Sequence, residues 1–137
     1  MQDKYRFRAW DKIKKKYIYN VENGLKVCLP SGDTHVMSIA EINNSEHYTL
    51  EQCSGVKDKN GQLIYENDIV QVTKVAGYQK LLLIVLENGN FMTYDSNGSS
   101  FTTVDRMVNN GTGTIEFLTN KVVSNVHKDT NRQRYEG

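Results

Sequence analysis

The sequence predicts a mainly β protein: a small roll with an SH3-like barrel in its C-terminal half, preceded by an N-terminal β-hairpin and one short helix. Three observations predict it. Short runs rich in Val, Ile, Leu, Tyr and Phe recur at close spacing, divided by Gly and Asn turns, which is the pattern of a β roll or small barrel. The longest apolar run, Leu81 to Leu86, is six residues, enough for a buried strand and far too short to span a bilayer. One proline and ten glycines in 137 residues, with 38% hydrophobic residues, exclude a linker-rich or disordered chain. A chain of this length can bury a core without disulfides or metal staples. The expected organisation is a hairpin and connecting segment over 1–54, a barrel over 55–128 and a polar tail over 129–137.

The elements follow in order. Lys4 to Ala9 alternates polar and apolar, so Tyr5, Phe7 and Ala9 are expected on one face and Lys4, Arg6 and Arg8 on the other. Asp11 to Lys16 is a polar turn, and Tyr17-Ile18-Tyr19 returns as the second strand of a hairpin. Asn23-Gly24 is a turn, Leu25 to Leu29 a short strand, and Pro30 to Asp33 its stop. Between Thr34 and Glu46 the β signal fades, and Val36, Ile39 and Ala40 have helical spacing. Tyr48 to Cys53 is expected as a strand ended by Ser54-Gly55. Asn60-Gly61 and Asn67-Asp68 are expected as structural turns, because Asn and Gly tolerate positive φ and Asp accepts backbone N–H groups. Leu63 to Tyr65 packs between them, and Ile69 to Val72 is a strand. Lys80 to Leu86 is expected as a strand buried on both faces, joined by the turn Glu87 to Asn90 to the return strand Phe91 to Tyr94. Ser96 to Ser100 is a loop, Phe101 to Val108 an imperfect alternation and Asn109 to Gly113 a loop. Thr114 to Leu118 and Val122 to Val126 are two further short strands. The tail from His127 is expected to be frayed.

Charge is unevenly spread. Residues 1–19 hold seven Lys/Arg against two Asp, residues 20–120 hold six against twelve acids, and residues 121–137 hold four against two. Basic ends on an acidic middle point to an anionic partner or to self-neutralisation. The candidate binding residues for such a partner are Arg6, Arg8, Lys12, Lys14, Lys15 and Lys16. The opposite reading of the lysines is that they keep an edge strand from pairing with other chains. The N-terminus, MQDKYRFRAW, lacks an apolar stretch after its charges and is not expected to be a signal peptide. Two cysteines without framework spacing suggest reduced thiols and a cytoplasmic setting, with Cys28 and Cys53 expected as small buried side chains.

Several chemistries have candidate residues in the chain. Cys28, His35, His47 and Cys53 include zinc-type ligands, but none of them are two to four residues apart as structural zinc sites require. No metal site and no cofactor are expected. A Cys–His nucleophile has its residues but no local signature. Asp58, Glu66 and Asp68 offer paired carboxylates; Glu66 and Asp68 at i, i+2 would share a face in an extended segment. The structural reading is that these aspartates fix turns. Gly111-Thr112-Gly113 lacks the features of a phosphate loop. No catalytic residue is expected.

Three segments carry a family likeness. They are Tyr5-Arg6-Phe7-Arg8-Ala9-Trp10-Asp11 with Lys14 to Tyr19; Gly55-Val56-Lys57-Asp58-Lys59-Asn60-Gly61 with Ile64-Tyr65-Glu66-Asn67-Asp68-Ile69-Val70; and Val122 to Val126. In order and spacing these segments resemble the YopX family of phage and prophage proteins, over nearly the whole chain. The resemblance implies a mainly β fold with an SH3-type barrel in the C-terminal half, and an origin in temperate phages or prophages of low-GC Gram-positive bacteria. It carries over no catalytic residues. Asn67 and Ser124 stand where the family pattern has glycine, Cys53 where an aromatic is frequent, and the end of the chain lacks the family's proline. The expected function is a small non-catalytic binding module, regulatory in role, contacting protein or nucleic acid. The alternative is a small enzyme or metal-binding protein using Asp58, Glu66 and Asp68 or the Cys and His groups. No membrane partner is expected, and open strand edges allow a homo-oligomer.

Overall fold

The computed structural model describes residues 3–74, 79–109 and 117–127. The chain divides into two units, Met1–Cys53 and Ser54–Gly137. The fold is mainly β, with two short α-helices among the described residues.

In the first unit, β1 (Phe7–Asp11) and β2 (Lys16–Tyr19) form an antiparallel hairpin, with Ala9 opposite Ile18 and Arg8 opposite Tyr19. A ribbon follows, made of β3 (Leu25–Cys28) and β4 (Thr34–Met37). Helix α1 (Ile39–Asn44) starts at Ser38, whose side chain accepts the Glu41 N–H while Glu41 reaches back to the Ser38 N–H; this reciprocal cap satisfies two of the helix's orphan donors. Then β5 (Tyr48–Lys57) pairs with β1, placing Leu50 opposite Ala9 and Glu51 opposite Arg8. The apolar core of this unit is small: Ala9, Val21, Leu25 and Ile42 are buried, with Phe7, Ile18, Val27, Met37, Tyr48 and Leu50 packed around them.

Strand β5 straddles the unit boundary, and β6 (Leu63–Tyr65) follows it in the sheet order β2-β1-β5-β6. The second unit continues with a meander. It comprises β7 (Asp68–Lys74), β8 (Gln79–Glu87), β9 (Asn90–Tyr94), β10 (Ser100–Thr103), helix α2 (Val104–Asn109) and β11 (Phe117–Asn125). The order β10-β9-β8-β7-β11 puts the last strand beside the first, forming a curled half-barrel. A pairing of β10 with β11 that would close a full barrel is not among the described pairings. Ile64, Val70, Val72, Leu82, Ile84, Val104 and Met107 form the buried core.

The differences from the expected elements have local causes. The strand expected to end at Ser54-Gly55 runs on to Lys57. Gly55 takes φ 83°, and the Ser54 hydroxyl accepts the Val56 N–H at 3.1 Å; a glycine absorbs that irregularity without stopping the strand. The stretch read as helical from Val36 is first a strand through Met37 and then the helix from Ile39, because Ser38 is the cap. Phe101 to Val108 is strand β10 and then helix α2. The Thr103 hydroxyl accepts the Arg106 N–H at 3.3 Å, and Val104 and Met107 turn inward. Within 117–127 there is one strand where two were expected, Phe117–Asn125, and the register shifts between Val122 and Ser124 let it bend without ending. Lys80 to Leu86 is not buried on both faces: Leu82 and Ile84 are fully buried, while Leu81, Leu83 and Val85 are half-buried. Cys28 is exposed, contrary to expectation, at the end of the two-stranded ribbon; Cys53 is buried. The expected strand start at Thr114, the Gly111–Gly113 loop and the tail over 129–137 lie outside the described residues.

Candidate functional site

The β1–β2 turn is built around one carboxylate. Asp11 ends β1 and is buried, yet its Oδ1 accepts the N–H groups of Ile13 at 3.0 Å and Lys14 at 2.9 Å. The same oxygen lies 2.9 Å from Nε2 of His47, and the Lys12 N–H donates to the His47 carbonyl at 3.0 Å. Burial pushes the Asp11 carboxyl up. The N–H bonds from Lys14 and Ile13, together with the hydrogen bond and charge of His47, outweigh burial and hold it below its ordinary value. Lys15 turns the chain with φ 57° and donates its N–H to the Asp11 carbonyl at 2.8 Å. The backbone of the turn is thus fixed, while the side chains of Lys12, Lys14, Lys15 and Lys16 are all exposed. Ile13 at the tip is 72% exposed.

The two arginines part company. Arg6 is half-exposed, its Nε 2.9 Å from Asp3 Oδ1 and its Nη1 donating to Asn20 Oδ1 at 3.3 Å. Arg8 is 3% exposed. Its Nε donates to Glu51 Oε1 at 2.8 Å, its guanidinium lies 3.9 Å from the centre of the Tyr17 ring, and the Tyr17 hydroxyl donates to the same Glu51 oxygen at 2.9 Å. The expected basic outer face therefore lacks Arg8. The alternation was right about direction, but this second face carries Trp10, Arg8 and Glu51 in the interior. Nothing in the sequence signals a partner 43 residues away.

The acidic candidates are placed in separate turns. Asp58 accepts the N–H groups of Asn60 at 2.8 Å and Gln62 at 2.9 Å on Oδ1, and of Val122 at 2.8 Å on Oδ2. Gly61 carries φ 84° in that turn, and its N–H donates to the Asp58 carbonyl at 3.0 Å. Asp68 Oδ2 accepts the Tyr65 N–H at 2.8 Å. Asn67 between them takes φ 69°, donates its N–H to the Ile84 carbonyl and accepts that of Val126. Glu66 and Asp68 would align only in extended backbone, which Asn67 does not have. A third turn of this kind escaped the sequence reading. Asp95 accepts the N–H groups of Asn97 at 2.9 Å and Ser99 at 3.1 Å. The Ser99 bond, with that of Asn97 and the charge of Lys80, holds its carboxyl below the ordinary value against the effect of burial. The signal was present as Asp95-Ser-Asn97-Gly98.

His35 Nε2 sits 2.7 Å from Glu41 Oε2, and His47 faces Asp11. Among the described residues no three His, Cys, Asp or Glu side chains gather where they could hold a metal ion. An open cleft of about 240 Å³ in the second unit is lined by residues that include Ser54, Asn90, Phe91 and Asp105; Asp58, Glu66 and Asp68 are not among them. No described helix is long and apolar enough to cross a membrane.

The solved structures that resemble this fold include two crystal structures of bacterial proteins. Protein EF1440 from Enterococcus faecalis superposes with a TM-score of 0.57 at 21% identity, covering 93% of this chain and 96% of that one. Protein yopX from Bacillus subtilis superposes with a TM-score of 0.56 at 18% identity, covering 92% of this chain and 95% of that one. No curated protein matches the chain. The family model described as YopX protein matches residues 6–132, nearly the whole chain and, save for Tyr5, all three of the segments noted in the sequence. The chain belongs to the YopX family.

Proposed function

We propose that the chain is a non-catalytic binding module, encoded by a phage or prophage and acting in the bacterial cytoplasm, whose lysine-rich β1–β2 turn contacts the phosphates of a nucleic acid. Self-association through an open strand edge belongs to the same reading. One observation carries the proposal. Four of the five consecutive positions 12–16 are exposed lysines, in a turn whose only carboxylate, Asp11, is buried under it. Lysine is a mobile point charge suited to phosphate, and a turn fixed from below presents those charges at little ordering cost. The candidate carboxylates argue in the same direction. Asp58 and Asp68 accept backbone N–H groups within the turns they belong to, as aspartates that fix turns do.

The test is fluorescence anisotropy of the full chain with labelled oligonucleotides over a salt series. If each lysine neutralises one phosphate, log K falls against log salt with a slope of about −3 to −4. A variant with Lys12, Lys14, Lys15 and Lys16 all changed to Gln keeps its fold by circular dichroism and loses most of the affinity and of the slope. Absence of binding by the unaltered protein at low salt ends the nucleic-acid reading.

A further inference from the structure

Three sheets leave six edge strands among the described residues: β2 and β6, β10 and β11, β3 and β4. An open edge offers unpaired N–H and C=O groups to any other strand, and folded chains blunt it with lysine, shortness or a bulge. Five of the six are blunted in one of these ways. β2 begins with Lys16 after the lysine turn, and β3 carries Lys26. β6 is three residues long. The register of β10 shifts between Ser100 and Thr102, and that of β11 between Val122 and Ser124. By contrast, β4 reads Thr34-His35-Val36-Met37, without lysine, arginine or proline, and pairs with β3 in an unbroken register. It also belongs to the part of the ribbon that stands clear: residues 28–36 are all exposed, Leu29 by 42% and Val36 by 58%.

The ladder fixes which groups of β4 face outward. The Leu29 N–H donates to the Asp33 carbonyl at 2.7 Å. Hydrogen-bonded and non-hydrogen-bonded pairs alternate in an antiparallel ladder, so His35 and Met37 bond to β3, while Thr34 and Val36 turn their N–H and C=O groups to the open edge. We propose that this edge pairs, antiparallel and isologous, with β4 of a second copy of the chain. A two-fold axis at His35 sets Thr34 of each copy opposite Val36 of the other, with about four backbone hydrogen bonds. Both residues are β-branched, a type that packs well on a pleated surface. The strand bears no lysine, arginine or carboxylate to oppose its own image, and His35 has its counter-charge on its own chain, Glu41 Oε2 at 2.7 Å. The joint sheet has the order β3-β4-β4-β3. Its outer edges are the two β3 strands, and Lys26 on each discourages further addition. The assembly therefore closes at two copies. The inference rests on the self-association named above and goes beyond it by naming the edge, the register and the copy number. Four residues along an edge cover less than the ~1,600 Å² of a standard interface, so the dimer is expected to depend on concentration.

Sedimentation velocity of the full chain, over a concentration series up to about 1 mM, reads the association. A monomer–dimer equilibrium is expected, with no species beyond the dimer. Val36→Lys places the missing guard on the edge, and Val36→Pro removes an outward N–H that β3 does not use; each is expected to weaken the dimer by about tenfold or more with the circular dichroism unchanged. If the proline variant fails to fold, the lysine variant carries the test. Register is checked with a Cys28→Ser, His35→Cys variant. A non-hydrogen-bonded pair brings Cα atoms to about 4.5 Å, within the reach of a disulfide, so oxidation is expected to link two copies through position 35. A Cys28→Ser, Lys26→Cys variant is expected to give no such link. A chain that stays monomeric throughout overturns the proposal and leaves the edge to a strand of some other protein; growth beyond the dimer overturns it as well. A dimer that survives both Val36 changes also overturns it and moves self-association to another edge. The quadruple lysine variant is expected to dimerise like the original, so failure of the nucleic-acid reading and failure of this one are read on different variants.

Discussion

Both units bury aspartates that close turns, and the first also buries an ion pair between two strands. In the first, Arg8 on β1 pairs with Glu51 on β5, and Asp11, which closes its own turn on Ile13 and Lys14, also faces the half-exposed His47 36 residues on. In the second, the buried aspartates close turns, Asp58 on Asn60 and Gln62, Asp68 on Tyr65, Asp95 on Asn97 and Ser99, and Asp58 also accepts the N–H of Val122, 64 residues on. The apolar cores differ to match. Ala9, Val21, Leu25 and Ile42 make a small cluster, whereas Ile64, Val70, Val72, Leu82, Ile84, Val104 and Met107 make a larger aliphatic one. The first unit thus adds a buried cross-strand ion pair to a small core, and the second combines aspartate turns with a larger core. A buried pair contributes little to net stability where desolvation offsets most of its attraction.

Breaking the long-range pair gives the largest expected effect. Glu51→Ala strands the buried Arg8 guanidinium and removes the acceptor of the Tyr17 hydroxyl; a loss of about 3–5 kcal/mol is expected in urea unfolding. The sharper version replaces both partners, Arg8→Met with Glu51→Leu. Recovery of most of that loss is expected, and a double variant as unstable as Glu51→Ala would show that the pair itself holds the unit together. In the second unit, Ile84→Ala removes a fully buried side chain from the aliphatic core, at a cost of about 3 kcal/mol. No dependence on pH is expected for that loss.

Asp11→Asn tests the charge beneath the first unit's turn. The Asp11 carboxyl is held below its ordinary value of 3.8, so its contribution is fully present above that pH and is lost as pH falls below it towards the lowered folded value. A cost of about 1–2 kcal/mol at neutral pH, from weaker bonds to Ile13 and Lys14, is expected to shrink as the pH is taken below that value. Thermal unfolding over an acid series checks it; a gap that persists unchanged at the acid end would contradict the role given to the charge. The smallest effect is expected at Gly61→Ala. Gly61 has φ 84° and open space around the position of a Cβ, so only backbone strain is added, about 1 kcal/mol. A loss there larger than that of Ile84→Ala would mean that the Asp58 turn matters more to the second unit than its core does.

What could be read from the chain alone follows the same division. Turns are local: Asn60-Gly61, Asn67-Asp68 and the Asn88-Gly89 hairpin carry their backbone requirement in the residues themselves, and Asn67, Asn88 and Gly89 all take positive φ. Strand positions followed from apolar runs, and the family followed from motif order. The helices were harder, since α1 and α2 are six residues each, too short for periodicity to outweigh the adjoining strands; their serine and threonine caps were the usable signal. Ser54-Gly55 misled because glycine both ends strands and lets them bend.

The sequence by itself determined the class of fold, the turns and the family, because each depends on residues close together in the chain. Only the tertiary structure decided which charges are available. Arg6 and Arg8 are two residues apart and alike in chemistry, yet one is half-exposed and the other is buried against Glu51. Strand alternation assigns a residue to a face, but burial of that face depends on what covers it. Charge count along the chain therefore overstated the basic surface by one arginine. It could not show that Tyr19 is the exposed end of a series of rings whose inner members, Trp10 and Tyr17, hold it in place.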